Sequence, residues 1–153
     1  MLARARRFSF TSEWQVPYPL DDVAAAIIDL EFYPLWWRQI RAVAALGPDD
    51  AWVICRSRLP YNLNLFLHAE SRRPPELRVG LDGDLRGMAR YRLWANTFGT
   101  QLSYRQDVEV SGRLLTAAAV LARPLLVRNH DAMMRDCRAG LSAWLATAPS
   151  GSA

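Results

Sequence analysis

The last third of the chain carries a single apolar stripe at helical spacing. From about Pro124 to Leu145, the residues Leu126, His130, Met133, Cys137, Leu141 and Trp144 recur at steps of three and four. Arg128, Asp131, Arg135 and Arg138 fall on the opposite side. A helix with one apolar stripe must press it against something. The hundred or so residues before it read mostly as strands, so the partner is a sheet. A long helix held by a curved antiparallel sheet tends to leave a space between the two. A space lined by Met, His and aromatic side chains is a place for a ligand.

The strands are read from period-two alternation. Phe8, Phe10, Trp14 and Val16 alternate with Ser9, Thr11, Glu13 and Gln15, and Pro17 ends the run. Pro19-Leu20-Asp21-Asp22 then opens a helix, since Asp caps helices and acids favour the first turn. Val23, Ala26, Ile27 and Leu30 form its apolar face. A second short helix fits Glu31 to Trp37, with Pro34 near its start, where proline is tolerated. Strands follow over Arg38–Leu46, Ala51–Leu59, Leu63–Glu70, Leu77–Asp82, Leu85–Ala95 and Gln101–Val110, the last with the cleanest alternation. Gly, Pro, Asn and Asp clusters separate them. Leu114 to Leu121 reads as a helix that Pro124 kinks or restarts, and residues 148–153 as a small polar tail. Short connections force antiparallel pairing, and one apolar face per strand means one covered face of the sheet. The expected fold is α+β. About seven antiparallel strands curve around the long C-terminal helix, with two short helices between the first two strands, in a single domain over residues 1–153.

Composition narrows the function. Apolar residues make up 51% of the chain, which argues against disorder. No apolar run reaches the ~18 residues of a membrane span. Met1 to Arg7 lacks the apolar stretch of a secretory signal, so a cytoplasmic location is expected. The net charge is +4, and all 19 basic residues are Arg. Codon usage in a GC-rich genome explains that bias; phosphate recognition, which prefers Arg, would also produce it. The arginines are dispersed and no aromatic-basic signature appears, so nucleic acid is not an expected partner. Cys55 and Cys137, the only cysteines, suit buried reduced thiols. No His, Cys and carboxylate cluster has metal-ligand spacing. G-x-S-x-G, H-E-x-x-H, P-loop and G-x-G-x-x-G motifs are absent. No metal, cofactor or catalytic residue is therefore assigned.

Several residues stand out as candidate ligand contacts. His130 sits on the apolar stripe, either as a neutral core histidine or as a group that orients a ligand or moves a proton. Met133, Met134 and Cys137 are core filler or cavity wall, since Met adapts to varied apolar shapes; Met133 lies nearest the centre of the stripe. Tyr91, Leu93, Leu102, Tyr104 and Gln106 point inward from two adjacent strands. A buried hydroxyl or amide left unpaired costs about 1–3 kcal/mol, so the polar ones need each other, water or a ligand. Trp14 points inward as well. Of Trp36 and Trp37, one packs inward and the other stays partly exposed. Arg56 and Arg58 are solvated if Cys55 faces in, whereas Arg56 enters the cavity if Trp52 and Ile54 do. Together with Leu126 and Trp37, these readings give a candidate contact set of Trp14, Trp37, Tyr91, Leu93, Leu102, Tyr104, Gln106, Leu126, His130, Met133, Met134 and Cys137.

Local markers recur in a familiar order. Val16-Pro17 precedes the first helix, and Phe32-Tyr33-Pro34-Leu35-Trp36-Trp37 follows it. Gly83-Asp84-Leu85-Arg86-Gly87 enters a strand, and Gly99-Thr100 opens the last one. Asn129-His130-Asp131, with Met133-Met134, lies on the final helix. Over Phe8 to Leu145 this layout resembles the START-like or Bet v 1-like helix-grip superfamily, including proteins labelled polyketide cyclase/dehydrase. The resemblance implies a cavity between sheet and helix that binds a small hydrophobic or amphipathic molecule, a lipid, polyketide or similar. It implies as an alternative a cyclase or aromatase reaction in the same cavity, with His130 or a Tyr moving a proton. The markers speak to fold and not to activity, and the oligomeric state, monomer or homodimer, stays open.

Overall fold

A computed structural model describes residues 4, 6–56 and 59–147. Strand β1 (Arg7–Val16) leads to helix α1 (Leu20–Ile28), a 3-10 turn (Leu30–Phe32) and the short helix α2 (Tyr33–Trp36). Six strands follow: β2 (Ile40–Ala45), β3 (Asp50–Cys55), β4 (Leu63–Arg73), β5 (Glu76–Gly83), β6 (Leu85–Asn96) and β7 (Gly99–Val110). Helices α3 (Arg113–Leu121) and α4 (Arg123–Thr147) end the described chain. The expected α+β helix-grip architecture is present.

The sheet order is β1-β7-β6-β5-β4-β3-β2, antiparallel throughout. Strands β2 to β7 form a meander because each connection is too short for a crossover. Strand β1 instead pairs with β7 along its whole length, Phe8 opposite Val108 and Trp14 opposite Leu102. Strands β1 and β2 thus occupy opposite edges, and the α1–α2 segment must span the sheet between them. Register breaks at Arg41 and Glu70 are bulges of the kind that bend a strand and increase its twist. At the other end, Gly99 takes φ +131 where the chain enters β7. A Cβ there would stand 2.3 Å from the Val16 carbonyl oxygen, so only glycine fits.

Burial resolves the open registers. In β7 every second residue from Thr100 to Val110 is buried. In β3, Ala51, Val53 and Cys55 are buried, Trp52 is exposed, and Arg56 beyond the strand is exposed to solvent. Arg58 lies outside the described residues. Strand β2 begins later than the sequence suggests, because Arg38 and Gln39 form a turn closed by Ile40 N–H to the Trp37 carbonyl at 2.9 Å.

Two expectations about the helices need correction. The buried side of α4 runs through Met134, Cys137, Leu141 and Leu145, one position round from the expected line at both ends. Met133 and Trp144 are only half-buried. The helix packs on α1 and α2 as well as on the sheet, and Trp144 stacks on Phe32, ring centroids 5.8 Å apart. Second, Trp36 and Trp37 are both buried; Phe32 and Leu35 are the exposed apolar residues of that segment. Gly140 permits this. A Cβ at that position would come 1.7 Å from the Trp36 carbonyl oxygen, so α2 lies directly on the α4 backbone. Trp37 then donates its indole N–H to the Met133 carbonyl at 3.1 Å. Among the described residues no helix is long and apolar enough to cross a membrane.

Candidate ligand cavity

The two C-terminal helices meet the sheet at two places. Toward the C-terminus of α4, Cys137, Leu141 and Leu145 pack on Trp14, Leu93 and Leu102. At the other end, α3 brings Leu115 and Ala119 onto Phe8, Val108 and Val110. Between these clusters the helix stands off the sheet, over a part of β6 where the inward residue is only Ala89. Ala89 pairs with Val79 on one side and Gln106 on the other. The result is a hollow of about 200 Å³. Helix α4 walls it with Leu126, Asn129, His130, Met133 and Met134, and α3 with Leu115. A second hollow of about 320 Å³ adjoins it beneath the 3-10 turn, and Leu30, Tyr33, Leu67, Val79, Ala89 and Tyr91 belong to both walls. Asp29, Glu31, Asp49, Asp50, Arg72 and Arg78 line the second hollow; among the described residues no Arg, Asp or Glu lines the first.

Of the candidate contacts, the first hollow is lined by Trp37, Tyr91, Tyr104, Gln106, Leu126, His130, Met133 and Met134. Trp14, Leu93, Leu102 and Cys137 do not reach it; they belong to the packed cluster beside it. Leu93 and Leu102 pair directly across β6 and β7 and lie fully buried. Alternation identifies the inward face of a strand, but not the point along it where the covering helix lifts away. Phe10, Tyr61, Ala89, the leucines of β4 and Leu81 of β5 were not among the candidates and do line the hollow. The alternation of β1, β4 and β5 already placed most of them on the inner face.

Within this apolar wall the polar groups gather. The Tyr104 hydroxyl donates to Gln106 Oε1, and His130 Nε2 lies 3.3 Å from the same oxygen. Phe10 stacks on the imidazole, centroids 3.6 Å apart and planes 8° from parallel. Nearby, the Tyr91 hydroxyl is 3.8 Å from Cys137 Sγ, and the Asn129 amide donates to Met133 Sδ at 3.9 Å. The Tyr61 hydroxyl is buried with no partner among the described residues.

Desolvation sets the charge of this site, since burial disfavours the ionised form of every group in it. Burial pulls His130 down to about 4, so the imidazole is neutral near pH 7. Burial, and then the neighbouring Cys137, hold Tyr91 well above the ordinary phenol value, and burial also raises Tyr104. The Cys55 and Cys137 thiols are pushed up to about 12 by burial. The described residues of the wall can therefore give and accept hydrogen bonds but offer neither a thiolate nor a charged side chain.

The sequence matches no family model and no curated protein. Solved structures do resemble it. A protein from Thermus thermophilus superposes with a TM-score of 0.81 at 15% identity, covering 94% of this chain and 100% of that one. A START superfamily protein from Mycobacterium smegmatis gives 0.71 at 16%, covering 91% and 96%. An aromatase/cyclase from a Streptomyces species gives 0.74 at 12%, covering 97% and 99%. At such identities the likeness speaks to architecture: the fold is that of the START-like, Bet v 1-like helix-grip proteins.

Proposed function

We propose that the protein binds a small hydrophobic or amphipathic molecule, a lipid, polyketide or similar, between the sheet and α4. The observation that carries this reading is the hollow itself, flanked by packed clusters at both ends and mostly apolar, with a few hydrogen-bonding side chains on its wall. Apolar walls with a few convergent polar groups are the usual form of a ligand site. At about 200 Å³ the hollow falls below the ~300–1,000 Å³ of drug-sized pockets. It suits a compact ligand, or one end of a longer molecule that continues into the second hollow. Met133 sits on the wall without being part of the buried stripe of α4, which makes it the residue to enlarge. Met133→Trp should abolish uptake of an uncharged apolar fluorophore while leaving the circular dichroism spectrum unchanged. Undiminished uptake in that variant would remove the hollow as the site.

A second reading, a cyclase or aromatase reaction in the same hollow, draws support from the Tyr104–Gln106–His130 group and the likeness to a Streptomyces aromatase/cyclase. Against it, an imidazole held near 4 and phenols held above their ordinary value are weak proton movers near neutrality. Turnover of a poly-β-keto substrate that His130→Ala eliminates, with binding retained, would decide for catalysis.

A further inference from the structure

We propose that the hollow selects an uncharged ligand whose polar end is a hydroxyl, seated between the Gln106 amide and the His130 imidazole; this deepens the receptacle reading and rests on it.

The argument is one of donors and acceptors. Gln106 Oε1 meets both the Tyr104 hydroxyl and His130 Nε2. An oxygen of this kind only accepts, so both neighbours donate to it and the imidazole proton sits on Nε2. His130 Nδ1 is then a bare acceptor and the Gln106 Nε2 group a bare donor. Neither has a partner among the described residues, and both side chains line the hollow. Turning the amide over changes the labels but not the outcome. Gln106 Nε2 would then donate to both neighbours, the imidazole proton would move to Nδ1, the amide oxygen would be the bare acceptor, and the imidazole N–H and the Tyr104 hydroxyl proton would be the bare donors. Either way the site presents an acceptor and at least one donor. An alcohol, phenol or enol both donates and accepts, and it answers both. An ether or ketone leaves the acceptor unmet, a loss because unpaired polar groups are costly in an apolar enclosure.

The surroundings of the site disfavour charge. Among the described residues no Arg, Asp or Glu lines this hollow, and the imidazole, stacked on Phe10, stays neutral near pH 7. A carboxylate would lose its hydration without gaining a cation, and an ammonium without gaining a carboxylate. A carboxylate or an ammonium is therefore the wrong polar end for this hollow; the hydroxyl of an apolar ring compound or alcohol is the right one.

The test uses N-phenyl-1-naphthylamine, an uncharged apolar fluorophore, displaced by three competitors on one ring skeleton: β-naphthol, its methyl ether and β-naphthoate. Near pH 7 the naphthol should displace the fluorophore at roughly tenfold lower concentration than the ether, with the naphthoate weakest of the three. In Gln106→Leu/His130→Phe the ratio of naphthol to ether displacement, read against that variant's own fluorophore affinity, should fall to about one. Equal displacement by naphthol and ether in the wild-type protein, or tightest binding of the naphthoate, overturns the hydroxyl proposal and leaves the receptacle standing. Failure of the fluorophore and all three competitors to bind overturns the receptacle, and the proposal with it. The wild-type comparison needs no variant to fold, and His130→Phe alone, which keeps the stack on Phe10, should already narrow the preference.

Discussion

His130 is where sequence and environment meet most sharply. Its place on the helix was legible from spacing, and its charge was not, because charge follows from the solvent that its neighbours exclude. Burial lowers it from the ordinary histidine value of 6.5 to about 4, which links its titration to stability. Between those values the unfolded chain binds more protons than the folded one, so stability rises with pH through that window. The contribution is complete above about 6.5 and is lost as pH falls toward 4. It amounts to on the order of 3 kcal/mol. The urea midpoint of the wild-type protein should therefore climb from pH 5 to pH 7 more steeply than that of His130→Phe, and parallel slopes would contradict the neutral buried imidazole. The cysteines make a matching case. Both are buried, with thiols pushed up to about 12, and it is the thiolate that reacts. A thiol reagent near neutral pH should label neither in the native protein and both in denaturant; rapid native labelling would mean the core is open there. Tyr104 and Gln106 needed partners on burial grounds alone, and the fold supplied them from each other and from His130.

At the level of elements, strand phase was legible and helix phase only nearly so. Strand alternation has a period of two, so an error of one residue reverses every side chain, and the pattern in β7 leaves no second choice. A helical stripe is about a third of the circumference wide. A rotation by one residue still buries apolar atoms, and the choice between Met133 and Met134 fell to whatever else the helix touches. Here that was α2. Gly140 is the contact point, and nothing in the sequence marks it, since a glycine inside a helix reads only as a weak spot. Replacing it pits two effects against each other. Alanine is the better helix former by about 1 kcal/mol, yet its Cβ would press on the Trp36 carbonyl, which is backbone and has no rotamer to turn. The clash wins: Gly140→Ala should destabilise the protein by roughly 1–3 kcal/mol, read as a lower urea midpoint. A stabilised variant would mean that α2 does not lie on α4 as described.

For the molecule as a whole, the decisive contact is the pairing of β1 with β7, which joins residues about a hundred positions apart in the chain. It places β7 between two long strands with its inner residues buried, while β2 forms the far edge with most of its residues exposed. Backbone hydrogen exchange should follow suit. Amides of residues 100–109 should exchange at rates near those of global unfolding, and those of residues 40–45 much faster; comparable rates in the two strands would contradict the topology. The sequence by itself determined the succession of strands and helices, the antiparallel pairing, the inner face of most strands and the helix that covers them. All of these follow from local periodicity and short connections. The tertiary structure alone decided where the helix stands clear of the sheet, which inward residues border the gap, and that the polar side chains there are neutral and partly unanswered. A gap is a property of surfaces brought together from distant parts of the chain, and a side chain's charge depends on how much water those surfaces leave beside it.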